Sequence, residues 1–192
     1  MEDLYFENLV FDGKASGQKK PARGEYANCT FKHLDLSNCD LSYFEFTDCV
    51  FEHCDLSLAR LTKTTFSDVR LVNCKLQGVN FEPCNEFLFT IGFDGCILNF
   101  SSFYARKMPK TRFTGCSLQE VDFTNADLCG ADFSGAALAG AKFENTLLEN
   151  ADFRTALSYS IDPEKNRVRQ AKFSVAGLPG LLDKYNLDIR PV

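Results

Sequence analysis

A repeat of five residues runs through this sequence and constrains its fold more than any other feature. Between Val121 and Thr155 every fifth residue is Phe or Leu, and the residue two places before it is small or β-branched. These large residues, which we call centres, are Phe123, Leu128, Phe133, Leu138, Phe143, Leu148 and Phe153. A period of five fits neither an α-helix nor a flat strand, whose periods are about 3.6 and 2. It fits a coil that turns one corner in every five residues, and such a repeat outranks local propensities in predicting the fold.

The same repeat covers most of the chain, so we expect a single domain over residues 1–192. The predicted parts are first units at 1–13, a loop at 14–24, a first coil stretch at 25–82, a phase slip at 83–92, a second coil stretch at 93–157, and a last loose turn with a helix at 158–192. The loop contains four basic residues and no large apolar one, which is typical of a mobile surface segment.

The residue two places after each centre is often Asn, Asp or Gly, as at Asn28, Asn38, Asp48 and Gly130. These residue types tolerate the backbone conformations of turns, so this position predicts the corner. Four sides of five residues close a square turn of 20 residues. The sequence therefore predicts an all-β fold, a quadrilateral parallel β-helix.

Two units depart from the repeat. Phe81 and Phe93 are 12 residues apart, two more than a multiple of five, which predicts a bulged side near Pro83–Glu86. Arg106 falls at the inward small position. We expect either that this side swells and Arg106 escapes to the surface, or that the register differs locally. A distortion without function is favoured here over a contact with a partner.

The period changes near the C-terminus. Leu178, Leu181, Leu182 and Tyr185 follow the spacing i, i+3, i+4, i+7, which predicts one face of a short α-helix. Pro179 suits a first helical turn, and Asn186 suits a C-terminal cap. A helix at the end of a coil stack either covers the open edge or also binds another chain.

Composition limits the classes of function. The net charge of −5 and the pI of about 5.1 disfavour direct binding of nucleic acid through phosphates. No run of about 18 apolar residues predicts a membrane span. The acidic start lacks the features of a signal peptide, so we expect a cytoplasmic protein. The nine cysteines fall mostly at the inward small position, where thiols behave as small buried hydrophobes.

No motif predicts catalysis or a cofactor. Three cysteine pairs are spaced by 20 residues, as are His33 and His53, but such ladders do not give the tetrahedral ligand set of a zinc site. These pairs are Cys29 with Cys49, Cys54 with Cys74, and Cys96 with Cys116. No phosphate-binding loop or Ser–His–Asp arrangement is visible, and carboxylates on a convex rod have no concave site. We therefore expect that the protein binds no metal and no cofactor, and that it is not an enzyme.

The repeat small–x–Phe/Leu–x–x resembles that of the pentapeptide repeat proteins, over nearly the whole chain. A narrower resemblance, to the quinolone-resistance (Qnr-type) and albicidin-immunity branch, rests on the run from Cys54 to Phe81, the slip after it, the segment from Ser160 to Phe173 and the final helix. It implies a right-handed β-helix that resembles B-form DNA, binds DNA gyrase and topoisomerase IV, and protects them from inhibitors. Unlike several Qnr-type proteins, this chain lacks two long loops within the coil.

The resemblance also implies a homodimer joined through the C-terminal region. The candidate interface residues are Leu178, Leu181, Leu182, Tyr185 and Leu187.

Charge along the chain is uneven. Residues 25–59 contain seven acidic residues and one basic residue, and so do residues 120–153, whereas residues 60–112 contain eight basic and four acidic ones. The candidate partner-binding residues are Asp35, Asp40, Glu45, Asp55, Asp122, Asp127, Asp132 and Asp152. A plainer interpretation is that outer positions of a repeat only need solvated side chains, and that the acids rotate among the four sides. Three functions stay open: a topoisomerase-binding DNA mimic, a scaffold for an unrelated protein, and an unrecognised enzyme.

Overall fold

Four flat sides and four corners form each turn of the molecule, because every five-residue unit supplies one side and one corner. The computed structural model describes residues 4–16 and 20–189. The units stack as a right-handed quadrilateral parallel β-helix, which confirms the fold class predicted from the repeat.

Two of the sides contain regular strands. The strands are β1 (Leu4–Glu7), β2 (Val10–Asp12), β3 (Gly24–Ala27), β4 (Thr30–Lys32), β5 (Glu45–Thr47), β6 (Val50–Glu52), β7 (Thr65–Ser67), β8 (Val69–Val72), β9 (Ile91–Asp94) and β10 (Phe113–Thr114). One parallel sheet has the order β1-β3-β5-β7, and the other has the order β10-β9-β8-β6-β4-β2. We call these side 1 and side 2.

Isolated parallel bridges continue the stack on the other sides. Side 3 carries the ladder that begins Asp35–Asp55–Lys75, and side 4 carries Asp40–Arg60 and the later ladder from Asn80 to Lys142. Partners in neighbouring turns are 20 residues apart, as in Phe31 and Phe51 of side 2. This offset is the square turn that the sequence predicts.

The corners adopt the left-handed backbone conformation. Asn28, Asn38 and Asp48 have φ of 51°, 56° and 52°, and Gly130 has φ of 69°. Asn, Asp and Gly adopt this region at least cost, which explains their frequency two places after the centre. Larger residues such as Leu58 (φ 57°) also lie at corners, so the stack imposes the conformation even where the residue does not favour it.

The Phe and Leu centres fill the interior, and Phe rings on neighbouring turns stack on one another. Phe31 lies 4.5 Å from Phe51, and Phe133 lies 4.6 Å from Phe153, with nearly parallel rings. The inward small position completes the core, and its thiols bond to backbone carbonyls, as Cys49 Sγ does to the Tyr26 carbonyl at 3.3 Å. Eight of the nine cysteines are buried and Cys129 is half-buried, and none forms a disulfide within the described ranges.

The phase slip lies a few residues later than the spacing suggests. Asn85 still follows the 20-residue register, because its side chain donates to Thr65 Oγ1 at 2.7 Å. The next strand pairs Val69 with Ile91, an offset of 22. The two additional residues therefore enter between Asn85 and Ile91, within the predicted slip at 83–92 and towards the C-terminal side of Pro83–Glu86. Phe89 supplies the core ring of this turn, 6.2 Å from Phe66.

Arg106 lies in a different environment from the one predicted. It does not escape to the surface, since only 3 % of it is exposed, and its register is regular, with Lys107 paired to Asp127. Its guanidinium donates to the carbonyls of Cys84 at 3.0 Å and Asn85 at 2.8 Å. The bulge one turn earlier makes room for the side chain and supplies acceptors for its two terminal nitrogens, whereas its buried Nε has no hydrogen-bond partner.

The C-terminal segment is helical but not α-helical. It forms two 3₁₀ helices, Val175–Leu181 and Asp183–Tyr185. Pro179 lies inside the first of them rather than at its start, and Gly177 and Gly180 flank it. Pro and Gly disfavour a regular α-helix, which accounts for the difference. Asn186 has φ of 50° and caps the second helix, as predicted.

The segment predicted as a loop is only partly described. It begins with a short α-helix, α1 (Gly13–Ser16), and residues 17–19 lie outside the described residues. Beyond them, Arg23 lies over the ring of Tyr43, with 4.7 Å from the guanidinium carbon to the ring centroid.

Candidate interaction surfaces

The aspartates that precede the centres each stabilise a turn. The carboxylates of Asp122, Asp127 and Asp132 accept the backbone N–H two residues ahead, at 2.9, 3.0 and 2.9 Å. Asp35 and Asp40 do the same for Ser37 and Ser42. This hydrogen bond is an Asx turn, which Asp and Asn form readily. The sequence pattern alone did not reveal this local role of the repeated Asp.

The predicted acidic residues form two groups that each go partway around the rod. Three consecutive units bring Asp35 to side 3, Asp40 to side 4 and Glu45 to side 1, and one turn later Asp55 lies beside Asp35 on side 3. We call this set the N-terminal belt. Near the other end, Asp122 lies on side 4, Asp127 on side 1 and Asp132 on side 2, with Asp152 beside Asp132. We call this set the C-terminal belt, and neither belt is a stripe along a single side.

Several of these carboxylates are paired within the chain. Asp40 contacts Arg60 at 2.6 Å, and Asp55 lies 4.0 Å from Lys75. Asp152 contacts Arg154 at 2.7 Å, and the hydrogen bonds from this arginine lower the pKa of Asp152. Within the described part of the chain, Glu45, Asp122, Asp127 and Asp132 make no ion pair. Asp35 likewise makes no ion pair in this part of the chain.

The predicted C-terminal face is divided by the 3₁₀ geometry. Leu178, Tyr185 and Leu187 are about half exposed, at 45 %, 52 % and 57 %. Leu181 packs against the core instead, and Leu182 is half-buried. The backbone N–H of Ile161 donates to the carbonyl of Gly180 at 2.9 Å, so the segment covers the last turn. An exposed apolar surface remains on its outside.

A mid-rod surface was missed by the sequence reasoning. Phe87 and Leu88, in the inserted segment, are 81 % and 60 % exposed. Phe89 turns inward, and the Arg106 guanidinium lies 4.1 Å from the centroid of its ring. The sequence does contain a signal for this surface. Two units depart from the repeat together: an insertion is followed, one turn later, by Arg106 at an inward position.

No group of three or more potential metal ligands occurs among residues 4–16 and 20–189. His33 and His53 stack at 5.5 Å between ring centroids, at corner positions. In the described ranges no helix combines the length and the apolar character needed to cross a membrane.

The sequence comparison agrees with this geometry. The profile of the pentapeptide repeat region matches residues 24–86 and 86–153. The chain belongs to the pentapeptide repeat family. No curated protein sequence matches it.

Solved structures of pentapeptide repeat proteins share the fold. A trypsin-treated form of QnrB1, a plasmid-mediated fluoroquinolone resistance protein, superposes with a TM-score of 0.58 at 18 % identity, over 98 % of each chain. HetL, involved in heterocyst differentiation regulation in the cyanobacterium Nostoc sp. strain PCC 7120, superposes with a TM-score of 0.63 at 16 % identity, over 91 % of this chain and 86 % of HetL. At these identities the similarity concerns the fold.

Proposed function

We propose that this pentapeptide repeat protein is a non-enzymatic DNA mimic that binds type II topoisomerases, DNA gyrase or topoisomerase IV, and protects them from inhibitors such as quinolones. The observation that carries the proposal is the pair of acidic belts on a convex rod. The similarity in fold to QnrB1, a fluoroquinolone resistance protein, supports it.

The belts have a spacing that suits a surface built for DNA. Asp40 and Asp122 lie on side 4, and Glu45 and Asp127 on side 1, four strand positions apart in each case. At about 4.8 Å per strand, the belts are about 19 Å apart. This is roughly half of the ~34 Å helical repeat of DNA. Such fields steer a rod toward a basic groove that otherwise holds the duplex.

A scaffold for an unrelated protein is the second candidate function. Its support is that HetL, which has the same fold, is involved in the regulation of heterocyst differentiation. The two functions differ in their response to DNA, because only a mimic competes with duplex DNA for its partner.

A supercoiling assay with purified gyrase, with and without a quinolone, tests the proposal. Wild-type protein should inhibit supercoiling or restore it in the presence of the drug. The informative variant is Asp122→Asn/Asp127→Asn/Asp132→Asn, because the Asn oxygen keeps the Asx turn while the charge is lost. We expect its potency to fall by about tenfold or more, since several charge pairs are lost together.

The matched control is Glu82→Gln/Asp94→Asn/Glu86→Gln, which removes three charges from the middle of the rod. It should retain most of the potency. An equal loss in this control would contradict the role of the belts. No effect of folded wild-type protein at large molar excess, on either gyrase or topoisomerase IV, would overturn the topoisomerase assignment in favour of the scaffold.

We also propose a homodimer joined through the exposed C-terminal residues. Sedimentation equilibrium should give twice the chain mass of 21.6 kDa. Leu178→Asp/Leu187→Asp should give a monomer, because charge is placed in an apolar interface. Leu58→Asp, at a corner that is 57 % exposed, is the control and should stay dimeric. A monomeric wild-type protein at micromolar concentration would contradict the dimer.

A further inference from the structure

Gly92 occupies a position where the fold does not need glycine. It lies in strand β9, and an added Cβ would meet no atom within 4 Å. Every other described glycine either has positive φ, as Gly115 does, or would place a Cβ against its neighbours, as Gly24 would. Glycine weakens a strand interior and often marks a place where a ligand or another backbone approaches closely.

Two arginines flank this gap on side 2. Arg70 is paired with Gly92 in register, and Arg112 lies opposite Gly92 on the other side, where the Phe93 N–H donates to the Arg112 carbonyl at 2.8 Å. The backbones of the two arginines are thus two strand spacings apart, about 10 Å. Both side chains are exposed. Between them in the ladder, Gly92 has a hydrogen atom in place of a side chain.

Several cations of the rod are paired with an acid. Arg60, Lys75 and Lys172 each lie within 4.0 Å of an aspartate in the neighbouring turn. By contrast, the side chains of Arg70 and Arg112 make no hydrogen bond or ion pair to any described residue. They are an unpaired cationic pair in an acidic protein.

The strand neighbours of the two arginines differ. Arg70 lies between Val50 and Gly92, neither of which is acidic. Arg112 is paired in register with Asp132, whose carboxylate accepts the backbone N–H of Ser134 at 2.9 Å.

Surface depressions lie on both sides of Gly92. A cavity of about 50 Å³ is lined by Arg70, Gly92, Arg112, Thr114 and Asp94. A wider groove of about 430 Å³, on the side of Lys110, shares Arg70, Gly92 and Arg112. Together they make a trough that crosses side 2 between two guanidinium groups.

We propose that this trough binds an acidic segment of a protein partner, with one carboxylate held over Gly92 by Arg70 and Arg112. Arginine forks bind carboxylates through paired N–H donors. The missing Cβ lets the carboxylate approach the strand. This contact has the opposite charge to that of the acidic belts, and it does not depend on the topoisomerase proposal.

The surroundings favour a carboxylate over a phosphate or a nucleic acid. Asp94 lines the small cavity and Asp68 lines the groove, so a multiply charged anion meets repulsion at both ends. The net charge of −5 also opposes a polyanionic backbone. A single carboxylate on an extended peptide meets two cations and brings no second charge toward Asp94 or Asp68.

Fluorescence anisotropy with a labelled octapeptide that carries one glutamate among Gly and Ser residues, at low salt, tests the proposal. We expect Arg70→Gln/Arg112→Gln and Gly92→Val each to weaken binding by about tenfold or more, the first by loss of the forks and the second by filling the gap. Gly92→Val should fold at least as well as wild type, because Val is a strong strand former and its Cβ has open space. The matched control is Arg167→Gln/Arg169→Gln, which removes two exposed arginines elsewhere.

The outcomes separate the alternatives. Retained binding in the control, with loss in both trough variants, supports the site. Equal loss in the control, or no binding by wild type at millimolar peptide, overturns it. Competition by inorganic phosphate identifies the source of the anion: displacement no stronger than by sodium chloride of equal ionic strength supports a carboxylate, and displacement about tenfold stronger overturns the carboxylate in favour of phosphate.

Discussion

Arg106 is the residue that allows the coil to accommodate the two-residue insertion before Ile91. The bulge before Ile91 leaves the carbonyls of Cys84 and Asn85 facing the interior of the next turn, and the guanidinium bonds to both. A further contact is made with the carbonyl of Glu82 at 3.4 Å. Desolvation lowers the pKa of Arg106 from its usual value, yet the group stays charged at neutral pH.

Replacing Arg106 should therefore destabilise the fold. Arg106→Ala leaves buried carbonyls without a donor and opens a cavity beside Phe89, so we expect the free energy of unfolding to fall by about 2–4 kcal/mol. Urea unfolding followed by circular dichroism measures this change. Lys107→Ala, one residue away and exposed, is the control, with an expected change below about 0.5 kcal/mol. Equal stability of the two variants would contradict the role assigned to Arg106.

At the scale of elements, the C-terminal 3₁₀ segment closes the stack through two glycines. A Cβ on Gly180 would clash with the carbonyl oxygen of Tyr159, and one on Gly177 would clash with its hydroxyl. The close approach of this segment to Tyr159 therefore requires glycine at both positions. It lets Leu181 reach the core and protects the last open edge.

Gly180→Ala should loosen this cap without unfolding the coil. We expect faster hydrogen exchange of the Ile161 amide, which donates to the Gly180 carbonyl, because the added Cβ pushes the segment away from Tyr159. Amides in the middle of the rod, such as Phe103, should be unaffected. Val175→Ala, at a residue that is 86 % exposed, serves as the control. Unchanged exchange at Ile161 would show that the segment adjusts without opening.

The interior thiols give a second prediction at this scale. Burial raises the pKa of Cys49 to about 11 and that of Cys84 to about 12, so the reactive thiolate is scarce at pH 8. In native protein, Ellman's reagent should react slowly with these thiols, and in urea it should titrate all nine cysteines quickly. Rapid reaction of Cys84 in the native state would show that the bulge opens frequently.

For the whole molecule, the paired carboxylates set the dependence of stability on pH. Hydrogen bonds lower the pKa of Asp152, mainly from Arg154, and that of Asp162, mainly from Lys184, below their usual 3.8. A lowered pKa in the folded state means that the stabilisation is complete above the unfolded value. It is lost as the pH falls through the folded value.

We therefore expect the melting temperature to stay nearly constant from about pH 5 to 7 and to fall as the pH drops below about 4. Thermal unfolding monitored by circular dichroism measures the curve. Asp152→Asn should show a smaller drop, because it has no proton to gain at this position. A melting temperature that does not change between pH 5 and pH 2.5 would contradict the assignment.

Much of the fold was predictable because each five-residue unit repeats the same local requirements. The inward centre, the small inward partner and the corner residue recur, so the core list and the left-handed corners follow from spacing. The acidic residues were also predictable as outward positions. Their placement into two belts required the register, because the sequence alone does not say which residues of different turns lie side by side.

The sequence by itself determined the solenoid, the buried thiols, the 20-residue turn and the size of the insertion, since these depend on periodic burial of Phe and Leu. Only the tertiary structure decided where the insertion enters and that Arg106 stays buried in the interior. It also decided that the last helix is 3₁₀, and that Arg70 and Arg112 lie on either side of Gly92. These features depend on contacts between residues about 20 apart, and their energies are set by stacking between turns rather than by neighbours in the chain.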